Sequence, residues 1–130
     1  MKVNPGVDTR LIDPGVWLFL GAIAQIHREW TGEQLTVTSL RRPPGGRVSL
    51  HSTKEHEPVR AADFRRHQLD DAHGADPFCR YLQMRFGEWI GVVLEPEWLS
   101  LAELAERGGV LNVEPHVHIQ LKSTTWPGVL

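Results

Sequence analysis

The chain has 130 residues, 41% of them hydrophobic and 23% charged, with a formal net charge of −2. This is the size of one domain able to bury its own core, read as a single domain over residues 1–130, and its charge makes no electrostatic case for nucleic acid or an anionic membrane. The single cysteine, Cys79, excludes an internal disulfide framework and suits a reducing compartment.

Asp13 followed by Pro14 is a helix start, a capping side chain and then a residue that needs no amide partner. Val16, Phe19, Leu20, Ile23, Ile26, His27 and Trp30 recur at helical spacing, and Gly32 marks the stop. The apolar run here is shorter than a membrane span, and the N-terminus lacks the signal-peptide pattern. A cytoplasmic setting, or a phage-encoded protein released or carried in the virion, is therefore expected.

Leu35–Leu40 alternates and is partly β-branched, which predicts a strand; Arg41 to Arg47, with Pro43-Pro44-Gly45-Gly46, predicts a loop. Val59–Phe64 reads as a short strand and the polar stretch His67–Ala75 as a surface loop. Asp76-Pro77 opens a second helix with Phe78, Leu82 and Phe86 inward, and Trp89–Leu94 is an apolar strand. Ser100 and Glu103 have capping-box spacing for a short helix ending at Gly108-Gly109, and a final strand runs from about Pro115 to Leu121. Helices and strands mix without regular alternation, which predicts an α+β fold, a small antiparallel sheet packed against helices.

Chemistry gathers on that last strand. In His116-Val117-His118-Ile119-Gln120-Leu121 the period of two puts His116, His118 and Gln120 on one face and the apolar residues on the other, with Glu114 just upstream. A second set, His51, His56 and Asp63, lies earlier in the chain. Neutral imidazole and carboxylate are both zinc ligands, and a catalytic zinc takes three protein ligands plus water. His27 is expected to pack in the core and Cys79 to behave as a buried small hydrophobe. The tryptophans read as packing residues, although Trp126 could line a groove.

In chain order, Leu35-Thr-Val-Thr-Ser-Leu-Arg-Arg42, Ser49-Leu50-His51, His56 through Asp63, and Glu114-Pro-His-Val-His118 resemble the zinc D-Ala-D-Ala carboxypeptidase and hedgehog signalling-domain superfamily. Val59 stands where that motif usually has glycine, and Leu40-Arg41 replaces its Gly-Tyr. Glu114 lies one residue further back than the family's glutamate. The resemblance implies a zinc ion (Zn2+) on His56, Asp63 and His118, with catalytic positions at Glu114, His116 and Arg42.

On that reading zinc-bound water, its pKa lowered to about 7, attacks a scissile carbonyl. Glu114 serves as general base, His116 stabilises the oxyanion and Arg42 binds a substrate carboxylate. The implied partner is a peptidoglycan stem peptide or a D-amino-acid peptide, with no nucleic acid and no membrane. The implied activity is a D-Ala-D-Ala carboxypeptidase or an endolysin-type endopeptidase that degrades the cell wall. The alternatives are a non-catalytic zinc-binding structural or virion module of the same fold, and a histidine-hydrophobic-histidine single-stranded DNA endonuclease using Tyr81.

Overall fold

The computed structural model describes residues 1–42, 57–95, 106 and 115–122. Its longest helix, α1 (Pro14–Thr31), begins where the Asp13 carboxylate accepts from the Gly15 N–H at 2.8 Å. It ends at Gly32, whose φ of 77° is left-handed and suits a residue without a Cβ. Val16, Phe19, Leu20, Ile23 and His27 form its buried stripe.

Two further helices come next among the described residues, α2 (His67–Ala72) and α3 (Ala75–Phe86). The sequence predicts a loop where α2 forms. The tertiary setting overrides that polar composition, because Leu69 is fully buried and the Arg66 guanidinium, also buried, pairs with Asp70 one turn on at 2.9 Å. Phe78 and Leu82 of α3 are fully buried, as expected, while Phe86 is half-buried.

The strands are β1 (Lys2–Val3), β2 (Thr36–Ser39), β3 (Ala61–Arg65), β4 (Ile90–Glu95) and β5 (His116–Leu121), in the order β1-β2-β3-β5-β4. The β2–β3, β3–β5 and β5–β4 pairs are antiparallel and β1 joins β2 in parallel, so the sheet is mixed rather than wholly antiparallel. Two residues without an alternating pattern give no strand signal in sequence, and β1 exists through its pairing with β2. The fold is thus α+β, and the helices cover one face of the sheet. On that face the Phe64 ring of β3 meets His27 of α1 and Phe78 of α3, with centroids 6.4 Å away in each case. Val117, Ile119 and Leu121 of β5 join the same core. Burying a side chain of that size contributes about 1.5–3 kcal/mol.

Asp63 lies on the other face of the sheet, as do His116 and His118. The Pro43–Gly46 loop, the helix expected from Ser100, and His51, His56, Glu114 and Trp126 lie outside the described residues.

Candidate polar site around Asp63

The Leu121 N–H donates to the Arg60 carbonyl at 2.9 Å, and Asp63 is in register with His118. Hydrogen-bonded and non-hydrogen-bonded pairs alternate along an antiparallel ladder, so Asp63 and His118 form a pair of the second kind, where facing side chains come closest. The His118 Nδ1–H donates to Asp63 Oδ1 at 2.8 Å. His116, two residues back on the same face, brings its Nε2 to 3.6 Å from Asp63 Oδ2.

The second partner of Asp63 arrives through an irregularity. Val37 pairs with Phe64 but Ser39 pairs with Asp63, so β2 carries an extra residue, Thr38, whose hydroxyl donates to the Asp63 carbonyl at 3.4 Å. A bulge of this kind bends its strand and re-aims the side chains beyond it. Arg42 folds back over the strand end, with Nε donating to Ser39 Oγ at 3.1 Å and Nη2 to Asp63 Oδ2 at 2.7 Å. The preceding residue fastens two neighbouring segments of the backbone. The Arg41 guanidinium donates to the carbonyls of Arg10, Leu11 and Glu57 at 2.9, 3.1 and 2.8 Å.

Gln120 completes the cluster. Its Oε1 accepts from His118 Nε2 at 2.9 Å. It crosses over Gly91, its neighbour in register on β4, where an added Cβ would sit 3.4 Å from Gln120 Cγ. That is ordinary van der Waals contact, so the glutamine stem packs directly on the Gly91 backbone. Both ring nitrogens of His118 face oxygen acceptors, an arrangement that suits the imidazolium. Burial opposes that charge, but the hydrogen bonds to Asp63 and Gln120, with the charges of Asp63 and Glu95, outweigh it and hold the His118 proton above the usual histidine range.

The zinc reading is corrected by this geometry. Among the described residues no group of three or more His, Cys, Asp or Glu side chains could hold a metal ion. Of the three expected ligands, His56 lies outside the described residues. Asp63 and His118 are bonded to each other, and their remaining polar atoms face Arg42 and Gln120. The donor set does not fit a zinc centre, and the metallopeptidase, zinc-module and metal-dependent endonuclease readings fall with it. Tyr81, which the endonuclease would need, sits on α3 against Trp30, on the helical side of the sheet.

Comparison with protein-family models, with curated proteins and with solved structures finds no match. The resemblance to the carboxypeptidase and hedgehog superfamily is therefore overturned, leaving only the coarser α+β class.

Arg42, His116, Asp63 and His118 are thus gathered within one polar cluster, while His56 and Glu114 lie outside the described residues. Sequence reasoning missed Gln120 as a partner of His118, although the period of two already placed both on one face. It also missed Ser39 and Thr38, whose roles depend on a bulge that strand patterning does not reveal.

Proposed function

We propose that the cluster around Asp63 binds the carboxylate end of a short peptide, of the D-amino-acid or peptidoglycan stem type. The observation that supports this reading is the posture of Arg42. Its side chain is 48% exposed, yet it is anchored on Asp63, whose side chain is 4% exposed. A guanidinium carries five N–H donors in a rigid fork. The bonds to Ser39 and Asp63 fix its plane through Nε and Nη2. Its solvent side is left to meet a second carboxylate, a ligand this fork matches bidentately.

His118 adds a proton held beside the same carboxylate, so two cationic groups share Asp63. His116 flanks the position and is the second ligand-contacting candidate. A partner range without nucleic acid or membrane, and a cytoplasmic or phage-borne setting, belong to the same proposal. They rest on the net charge of −2 and the lone cysteine.

The test is calorimetric titration with N-acetyl-D-Ala-D-Ala and with its C-terminal amide. The acid should bind and the amide should bind roughly 10-fold to 100-fold more weakly, the scale of one charge-assisted hydrogen-bonded pair. Arg42→Ala should lower affinity for the acid to that of the amide. Equal affinity for acid and amide in the unsubstituted protein overturns the proposal.

A further inference from the structure

One strand along from the cluster, β4 is, among the described residues, an edge strand with a defined outer face. The Lys122 N–H donates to the Trp89 carbonyl at 3.0 Å, so the backbone groups of Trp89 point toward β5. By the alternation of an antiparallel strand, Gly91, Val93 and Glu95 also turn their N–H and C=O toward β5, and Ile90, Val92 and Leu94 turn theirs away from it. A side chain confirms the direction, since Gln83 Nε2 of α3 donates to the Val92 carbonyl at 2.9 Å. The glutamine amide stands where the N–H of a further strand would stand. A groove of about 190 Å³ runs along this edge, lined by Asp76, Arg80 and Gln83 of α3 and by Val92, Val93 and Leu94 of β4.

We propose that this edge is a self-association surface, on which β4 of a second copy of this chain pairs antiparallel with β4 about a two-fold axis at Val92. With that register Val92 faces Val92 of the second copy and Ile90 faces Leu94. Each of these pairs exchanges both backbone hydrogen bonds, and side chains of the same face meet. Exposed strand edges are templates for such pairing. The opposite edge of the sheet, β1, is only two residues long.

Charge complementarity favours a second copy as the occupant. Asp76 and Arg80 lie one turn apart on the groove rim, paired at 2.9 Å, with side chains 52% and 73% exposed. A two-fold axis reverses one α3 against the other, so the acid of each copy meets the base of the other. Glu95 falls opposite Trp89 rather than opposite another carboxylate. Met84, one turn beyond Arg80 and 77% exposed, flanks the same side of the helix and gains apolar cover. The inference does not depend on the ligand site around Asp63.

Sedimentation equilibrium over a concentration series, paired with amide hydrogen exchange, tests it. The protein should shift from monomer to dimer mass, and the amides of Val92 and Leu94 should gain protection as it does. Those of Gly91 and Val93, already facing β5, should change little. Gln83→Ala removes the side chain that occupies the Val92 carbonyl and should tighten dimerisation on the order of tenfold, the scale of a modest hydrogen bond released in each copy. Arg80→Asp should weaken it, and Asp76→Arg with Arg80→Asp should restore it. Leu94→Lys, an edge charge, should abolish it while circular dichroism stays unchanged. Monomer mass up to about 1 mM, the weak limit of specific association, in both the unsubstituted protein and Gln83→Ala overturns the proposal. A dimer whose Val92 and Leu94 amides exchange as in the monomer does so too.

Discussion

Replacing His27 by asparagine tests how this core responds to acid. His27 is fully buried, and its Nδ1–H donates to the Glu33 carbonyl at 3.1 Å. Its Nε2 has no hydrogen-bond partner among the described residues. The ring sits between Phe64 and Phe78, with centroids 6.4 and 6.0 Å away. A second proton would have to sit on Nε2 in that aromatic pocket. Burial therefore lowers the histidine's proton affinity, and the bond to Glu33 and the Glu33 charge only partly offset it.

Proton counting gives the sign. From about pH 6.5 down to the lowered folded value the unfolded chain binds a proton here that the folded chain does not, so stability falls with falling pH at up to about 1.4 kcal/mol per unit. Each pH unit of that window is large against a total stability of about 5–15 kcal/mol. His118 works in the opposite sense over part of this range, so the difference between the two proteins is the quantity to compare. Asparagine keeps a donor near Glu33, leaves a cavity costing about 1–3 kcal/mol at neutral pH, and does not titrate. Urea denaturation monitored by tryptophan fluorescence at each pH should show the unsubstituted protein's advantage shrinking on acidification, by at most about 1.4 kcal/mol per pH unit. An advantage that stays constant or grows refutes the reasoning.

The polar cluster and the lone thiol give two further outcomes. Asp63→Asn removes the carboxylate charge that anchors Arg42 and pairs with His118, and leaves one amide oxygen to accept where two now do. It should cost about 1–3 kcal/mol in thermal unfolding, discounted for the exposure of Arg42. It should also lower the His118 pKa in an NMR titration. Because that folded pKa is raised in the unsubstituted protein, His118 contributes stability below its unfolded pKa and loses it as pH rises through the folded value. An unmoved His118 titration would show that Asp63 does not hold the proton. Burial pushes the Cys79 thiol up to about 12. Its reaction with a disulfide reagent should be on the order of 10³-fold slower than that of a free cysteine until the protein unfolds, and rapid modification of the folded protein would contradict the burial.

Much of the local structure was legible because it is encoded by nearest neighbours. Asp13-Pro14 and Gly32 bracket α1 through capping and backbone chemistry that need no tertiary information. The alternation from His116 to Leu121 assigned both faces of β5, since a one-residue slip would have buried imidazoles in the core and exposed the branched side chains. The inward positions of α3, the strand at β4 and the packing of His27 and Cys79 were readable for the same reason. Tertiary structure alone decided what the polar residues do. Whether Asp63 serves a metal or a hydrogen-bonded cluster depends on Arg42, which reaches it past a bulge in β2, and on Gln120, which holds the far nitrogen of His118. The loop expected at His67–Ala75 became α2 because buried Leu69 and the Arg66–Asp70 pair stabilise a helix that local propensity does not favour. Spacing along a chain sets which side chains share a face, but the partners of a face come from strand order and register, and those are properties of the folded sheet.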